Sequence, residues 1–254
     1  MNELLRKWDP QLHGWNRNTP GRAEWLIALP DLTRALVAAG GADVADVLLA
    51  ECWAWLDRAV GLAGNADAPS RRTAGLDELV APAAGLLVAA SVHAPAIVDG
   101  MTTLLDDGLL SFLTLVLGTA DERGGFPARA VRPLRDRAVE RLDARLARPV
   151  RDADDWSITP VGACRASCQE CRDLDEFLRD PARRTVEWAR NQQYRTHIEE
   201  RLRRHELPVQ HRTIKSGRPY TIALAKSPAL FEREAQQRRD DEAARARLRA
   251  TVNG

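Results

Sequence analysis

The stretch Cys164-Arg-Ala-Ser-Cys168-Gln-Glu-Cys171 holds three of the four cysteines in the chain within eight residues. Thiolates at such spacings, followed by histidines, are the ligands that tetrahedral zinc sites use. In a compartment that keeps thiols reduced, clustered cysteines bind metal more often than they form disulfides. We therefore expect a zinc ion to hold together the segment that begins here and continues to Lys226.

The Cys168-x2-Cys171 pair has the spacing of a knuckle turn, in which two thiolates converge on one ion. The other ligands are expected among the histidines that follow, and Cys164 in place of one histidine gives a three-cysteine, one-histidine site. Since the segment has few large apolar residues, metal binding would supply much of its folding free energy. The predicted ligands are Cys168, Cys171, His197 and His211, with Cys164 and His205 as alternates.

Two other interpretations of the cysteines have less support. Free thiols beside unrelated histidines would not explain three cysteines in eight residues of a chain that has only four. The Cys-x3-Cys-x2-Cys spacing also matches the iron–sulfur motif of radical S-adenosylmethionine enzymes, whose clusters are held by thiolates. Those enzymes place the motif in a β/α barrel, and too little chain follows Cys171 to form one.

Three runs around these residues resemble a known tail sequence. They are Cys168-Gln-Glu-Cys171-Arg-Asp-Leu-Asp-Glu-Phe-Leu-Arg-Asp-Pro, Arg195-Thr-His197-Ile and His211-Arg-Thr-Ile-Lys-Ser-Gly-Arg-Pro-Tyr-Thr-Ile-Ala-Leu-Ala-Lys. Over about residues 164–235 the chain resembles the C-terminal tail of fungal and bacterial 2-oxoglutarate/Fe(II) dioxygenase (prolyl-4-hydroxylase-like) proteins. The resemblance implies that Cys168, Cys171, His197 and His211 are positions held in common.

The resemblance implies nothing about catalysis, because the oxygenase binds iron through His-x-Asp and a distant histidine. The sequence contains no His-x-Asp, and its nearest variant, His197-Ile-Glu199, falls on a predicted helix. Hydrolase, phosphate-loop, dinucleotide and His-Glu-x-x-His motifs are also missing from the sequence. An enzyme is therefore the less favoured class, and an accessory domain or subunit of such an oxygenase is the alternative function.

Charge separates the chain into two parts with different balances. Residues 1–160 contain 17 Lys and Arg against 22 Asp and Glu, whereas residues 161–254 contain 20 against 14. This contrast predicts two modules with different partners. We predict a helical scaffold domain at 1–150, a linker at 151–160, a zinc-binding basic module at 161–235 and a charged C-terminal helix at 236–254.

Apolar residues recur at helical spacing from Gly21 to about Arg148, which predicts roughly seven helices in a bundle or a HEAT-like array. Cys52 lies on one apolar stripe and is expected in the core. Trp8 and Trp15 are expected to pin residues 1–20 to the body. The predicted fold class is mostly α, with a small zinc-held α+β module at the C-terminal side.

In that module we predict helix over 172–204, interrupted at Asp180-Pro181. Two strand-like runs, 209–215 and 220–226, flank the turn Ser216-Gly217-Arg218-Pro219 and predict a β-hairpin. After Ser227-Pro228 the chain is predicted to be helical again to about Val252, with a solvated end.

The second half of the chain is also rich in arginine. A high density of cations favours binding to phosphate backbones, because counterions are released. Tyr194 and Tyr220 would stack on bases if exposed. The opposing interpretation is a salt-bridged surface, since Glu187, Glu199, Glu200 and Glu206 are interleaved, and the sequence leaves both open. The candidate nucleic-acid-binding residues are Arg184, Arg195, Arg201, Arg204, Lys215 and Arg218.

The sequence thus favours a binding protein, a helical scaffold with a basic zinc module that contacts nucleic acid or a protein partner. The N-terminus lacks the apolar core of a signal peptide and no run of 18 apolar residues occurs, so we expect a cytoplasmic protein without a membrane partner. The abundance of alanine and arginine over lysine is typical of proteins from GC-rich bacteria.

Overall fold

A computed structural model describes residues 24–106, 109–124 and 127–250 of the chain. The expectation for residues 1–20, including Trp8 and Trp15, lies outside the described residues.

The described chain is mostly helical, with one small antiparallel sheet, which confirms the predicted fold class. A 3-10 turn at Glu24–Ala28 is followed by helices α1 Leu29–Ala38, α2 Ala42–Gly64, α3 Pro69–His93, α4 Pro95–Asp106, α5 Leu110–Arg123 and α6 Ala128–Leu146. The remaining elements are α7 Gln169–Arg179, β1 Thr185–Ala189, α8 Gln192–Arg204, β2 Val209–Ile214, β3 Thr221–Lys226 and α9 Ala229–Ala250.

These elements form two compact units. The N-terminal unit comprises the described parts of Met1–Ala66, Arg72–Arg145 and Asp241–Gly254, and the C-terminal unit comprises Asp67–Arg71 and Leu146–Asp240. The residues predicted as a linker, 151–160, lie within the C-terminal unit. There the backbone N–H of Trp156 donates to the carbonyl of Pro181 at 2.8 Å, and that of Ile158 donates to the carbonyl of Leu178 at 2.7 Å.

Helix α3 is the core helix of the N-terminal unit. Its residues from Pro82 to Ser91 are all buried, and the 3-10 turn lies directly against it at Gly85. A Cβ atom at Gly85 would stand 2.1 Å from the carbonyl oxygen of Leu26, so only glycine permits this approach. Cys52 is buried in the same core, as the sequence predicted.

Helix α3 is the one helix among the described residues that is long and apolar enough to cross a membrane. Of its apolar window, 67% is buried inside the protein. A core helix that is apolar all round has the same composition.

The end of α9 packs into the N-terminal unit, where the sequence predicted a solvated helix. Leu248 and Asp241 are buried, and Asp241 pairs with Arg145 of α6. Asp143, also on α6, pairs with Arg245 at 3.3 Å and Arg249 at 2.6 Å. Many of the contacts of α9 here are ion pairs, and such contacts leave no apolar periodicity in the sequence.

The C-terminal unit is built on a three-stranded antiparallel sheet in the order β1-β3-β2. Along the central strand Ile222, Leu224 and Lys226 are buried in alternation, as expected for a strand with one face on a core. Helices α7 and α8 supply the other side of that core. It consists of Ile158, Leu174, Phe177, Leu178, Val186, Tyr194, Ile198, Leu202, Val209, Ile222, Leu224 and Leu230.

Strand β1 corrects one sequence prediction. We predicted that helix resumes after Pro181, but Thr185–Ala189 is a strand that pairs with β3. Asp180 does accept backbone hydrogen bonds from Ala182 at 3.0 Å and Arg183 at 3.1 Å, but it closes a turn and not a helix start. Pairing with β3 outweighs local helical spacing here, because Val186 and Trp188 then contact the core from one strand face.

Lys226 is a buried cation at the end of β3, with 1% of its surface exposed. Its Nζ donates to the carbonyls of Leu178 at 3.1 Å and Asp180 at 2.6 Å, at the C-terminal end of α7. It also lies 4.8 Å from the ring centroid of Phe177. Burial lowers the pKa of Lys226 from 10.5 to about 8.

Lys226→Met should destabilise the C-terminal unit by about 1–3 kcal/mol at pH 7, because the partly buried carbonyl of Asp180 loses its donor. Between pH 8 and 10.5 the folded wild type binds fewer protons than its unfolded chain. The stability of the wild type relative to the variant should therefore rise with pH through that window. Urea unfolding of both full-length proteins at pH 7, 8, 9 and 10 measures this, and two parallel pH curves would contradict it.

Candidate metal centre

The structure brings together Cys164, Cys168, Cys171 and His197, whose ligand atoms all lie within 4.8 Å of one another. The Nε2 atom of His197 is 3.8 Å from the Sγ of Cys164, 3.5 Å from that of Cys168 and 3.3 Å from that of Cys171. Within the described part of the chain no other group of this kind occurs.

These separations fit a single tetrahedral ion. With zinc–sulfur bonds near 2.3 Å and a zinc–nitrogen bond near 2.0 Å, a tetrahedral angle places sulfur and nitrogen about 3.6 Å apart. The three sulfur–nitrogen distances lie on either side of that value. Three thiolates and one imidazole also form a soft donor set, which suits zinc and not calcium or magnesium. The four residues could therefore hold a metal ion with little rearrangement.

Two helices and one loop position the four ligands. Cys168 lies immediately before α7 and Cys171 lies in its first turn, where the positive end of the helix dipole favours thiolates. The loop returns Cys164 to the same place, since its backbone N–H donates to the Sγ of Cys171 at 3.5 Å. His197 is on α8, next to the fully buried Ile198, which fixes that helix against the core.

The surroundings shift the pKa values of two of the thiols in opposite directions. Burial raises the pKa of the Cys168 thiol to about 12. The pKa of Cys164 is lowered, chiefly by a hydrogen bond with Cys168 and also by Cys171 and by the positive charges of Arg201 and Arg165. A divalent cation would offset the charges of several thiolates at once, so binding should release protons.

Arg201 lies one helical turn after His197 and is buried. Its Nη2 donates to the carbonyls of Gly162 at 2.6 Å and Val161 at 3.3 Å. These two residues come shortly before Cys164 in the chain, so the hydrogen bonds from Arg201 position the loop that contains this cysteine. The sequence placed Arg201 among the nucleic-acid-binding residues, and the structure shows it buried, with its guanidinium on the loop before Cys164.

Neither of the later histidines joins the group. His211 is exposed on β2, opposite Leu224 of β3. His205 caps the end of α8, where its Nε2 is buried without a hydrogen-bond partner, and burial lowers its pKa. The structure thus brings together three of the four predicted ligands with the alternate Cys164. Spacing alone could not show whether Cys164 or His211 is the fourth ligand, since this depends on the path of the loop that contains Cys164.

The other predicted nucleic-acid-binding residues lie on the surface of the C-terminal unit. Arg204, Lys215 and Arg218 are exposed. The guanidinium of Arg184 stacks 4.4 Å from the ring of Trp156, and that of Arg195 lies 5.4 Å from the ring of Tyr220. Arg190, which is not among the candidate residues, lies 5.4 Å from the ring of Tyr194.

These basic residues lack carboxylate partners. Across the described ranges, every ion pair given by the structure lies outside residues 183–226. Two of the interleaved glutamates face other groups: Glu199 accepts from Thr213 at 3.4 Å, and Glu206 accepts from Ser70. The surface is therefore not the salt-bridged one that the sequence left open.

No family model, curated protein or solved structure matches the chain. The resemblance to the dioxygenase tail accordingly stays a prediction, and the site stands on its geometry.

We expect His197→Ala and Cys164→Ser to lose the metal, whereas His211→Ala keeps about one ion per chain, because four ligands complete a tetrahedral site. Elemental analysis of the purified full-length variants, at matched protein concentration, measures the content. Loss of metal from His211→Ala together with its retention in Cys164→Ser would show that the ligand set predicted from the sequence is the correct one.

Arg201→Met should weaken metal binding by about 10- to 100-fold, as expected when a group that orients a ligand is removed. All four ligands remain, so the variant should still bind one ion when metal is in excess. Competition with a chromophoric chelator measures the affinity. Arg204→Met, an exposed arginine on the same helix, is the matched control, and equal affinities of the two variants would exclude the positioning role of Arg201.

Proposed function

We propose that the C-terminal unit is a zinc-held module that binds nucleic acid through its basic surface. The observation that supports the proposal most is the combination of a three-cysteine, one-histidine group with arginines that lack carboxylate partners. The zinc would be structural, because four protein ligands leave no open position for water or substrate.

Zinc would connect the loop at Cys164 and the adjacent start of α7 to the middle of α8, which lies further along the chain. Once the ion fixes α8, the arginines on and around that helix have defined positions. Metal binding would then stabilise the fold, and the folded unit would hold these arginines in position to contact phosphates. The residues of the cluster would take no direct part in contacting the nucleic acid.

Nucleic acid fits this surface better than an acidic protein for two reasons. Phosphates gain from cations that are not already neutralised, through the release of bound counterions. Two arginines of the unit also lie against aromatic rings that are partly exposed, at Trp156 and Tyr220, and aromatic rings and guanidinium planes are surfaces on which bases stack. Tyr194 is buried in the core and is not such a surface. We propose a scaffold role for the N-terminal helical unit in a cytoplasmic protein.

The alternative, an accessory domain or subunit of a 2-oxoglutarate/Fe(II) oxygenase, rests on the sequence resemblance over residues 164–235 alone. It stays a prediction beside the proposed function.

Raising the salt concentration from 50 to 200 mM should weaken binding of the zinc-loaded protein to nucleic acid by about a hundredfold, as expected for about four phosphate contacts. Fluorescence anisotropy with labelled single-stranded and duplex oligonucleotides measures the affinity. His197→Ala should lose binding together with its zinc, whereas His211→Ala should keep both. A wild-type protein that contains zinc and shows no affinity for any oligonucleotide at 50 mM salt would refute the nucleic-acid function.

A further inference from the structure

Several cationic side chains lie around the ring of Tyr220 at one end of the sheet in the C-terminal unit. The last paired residues of β1 and β2 at this end, Ala189 and Ile214, both lie opposite Thr221. The next residues along are therefore Arg190, Tyr220 and Lys215, and the backbone N–H of Arg190 donates to the carbonyl of Tyr220 at 3.2 Å. Neighbouring strands are about 4.8 Å apart, so these three positions span about 10 Å.

Arg195 of α8 reaches the same end of the sheet. Its Nη1 donates to the carbonyl of Arg190 at 2.6 Å and to that of Tyr220 at 3.4 Å. The guanidinium also lies against the Tyr220 ring. The two carbonyls and the ring hold the Arg195 guanidinium in place without neutralising it, so its charge stays available to an anion. Because the side chain is already ordered, it loses little entropy when an anion binds.

Two further cations project from the hairpin loop. Lys215 and Arg218 are both exposed, and neither has a hydrogen bond or an ion pair within the described part of the chain. We define the hairpin-end cluster as Arg190, Arg195, Lys215, Arg218 and Tyr220. The other candidate residues lie elsewhere, since Arg184 precedes β1 at the opposite end of the sheet and Arg204 ends α8.

We infer that the hairpin-end cluster is a binding site for single-stranded nucleic acid, with its four cations on phosphates and Tyr220 stacked on a base. This inference rests on the proposed function and names its contact residues and its ligand. A single strand fits because bases in a duplex are already stacked on one another, whereas an aromatic ring beside cations stacks on an unpaired base of any sequence.

The test uses the full-length, zinc-loaded protein and fluorescein-labelled 20-mers of oligothymidine and oligouridine, with a duplex of the same length for comparison. Lys215→Gln/Arg218→Gln removes two exposed charges without removing a contact inside the protein. Tyr220→Leu removes the ring and keeps an apolar side chain. The matched control is Arg58→Gln/Arg239→Gln, which changes the net charge equally at two exposed positions outside the cluster and outside residues 183–226.

The Lys215/Arg218 double variant should bind either single strand about tenfold or more weakly at 50 mM salt, with a shallower salt dependence, because phosphate contacts are lost. Tyr220→Leu should lose about tenfold through stacking. Either oligonucleotide, DNA or RNA, supports the inference if the control double variant binds as the wild type does. Zinc content and circular dichroism confirm that each variant is folded.

Two results would overturn the inference and leave the proposed function standing. One is a control double variant that weakens binding as much as the loop variant does. The other is tighter binding to the duplex than to either single strand, with no effect of Tyr220→Leu. Absence of binding by the wild type to all three oligonucleotides would overturn the inference and the proposed function together.

Discussion

Three thiols and one imidazole meet at one point of the C-terminal unit, and an ion held there would constrain its loop and two of its helices. The cluster joins the loop at Cys164, the start of α7 and the middle of α8, and no apolar contact could replace it, because Cys164 and its neighbours are exposed. The apolar core beneath contains twelve residues, which is a small core for three strands and two helices. An ion at the cluster would add folding free energy where the core ends.

Two buried cations complete the same framework by a different means. Lys226 donates to carbonyls at the end of α7, and Arg201 donates to carbonyls of the loop before Cys164. Both side chains donate to carbonyls at the end of a helix or in the loop before one. Such carbonyls have no partner within the helix itself. Such carbonyls lower the cost of burying a cation, and at the end of α7 the helix dipole adds negative potential. The Nε of Arg201 is nevertheless buried without a hydrogen-bond partner.

The sequence predicted those features that depend on local patterns. The helices of the N-terminal unit and the β2–β3 hairpin have periodic apolar residues and a turn signal at Ser216-Gly217, and Cys168-x2-Cys171 has a knuckle spacing. Strand β1 was missed because its pairing partner lies more than thirty residues away, and a strand without its partner looks helical in this sequence. The burial of Arg201 and the position of His211 outside the cluster could not be predicted for a related reason. Residue type and spacing give no information on which way a side chain faces once the chain has folded.

The charge of the C-terminal unit also follows from this architecture. Unpaired cations on one surface repel each other and destabilise a compact state, so a fold that keeps them needs stability from elsewhere. Here Arg195 and Arg190 are held by carbonyls and rings, which position a guanidinium and leave its charge intact, whereas a carboxylate would neutralise it. An ion held by the three thiolates and His197 would add stability without using the surface arginines. Because the cluster residues and the surface arginines are different residues, the unit can have a cationic surface and a stable fold at the same time.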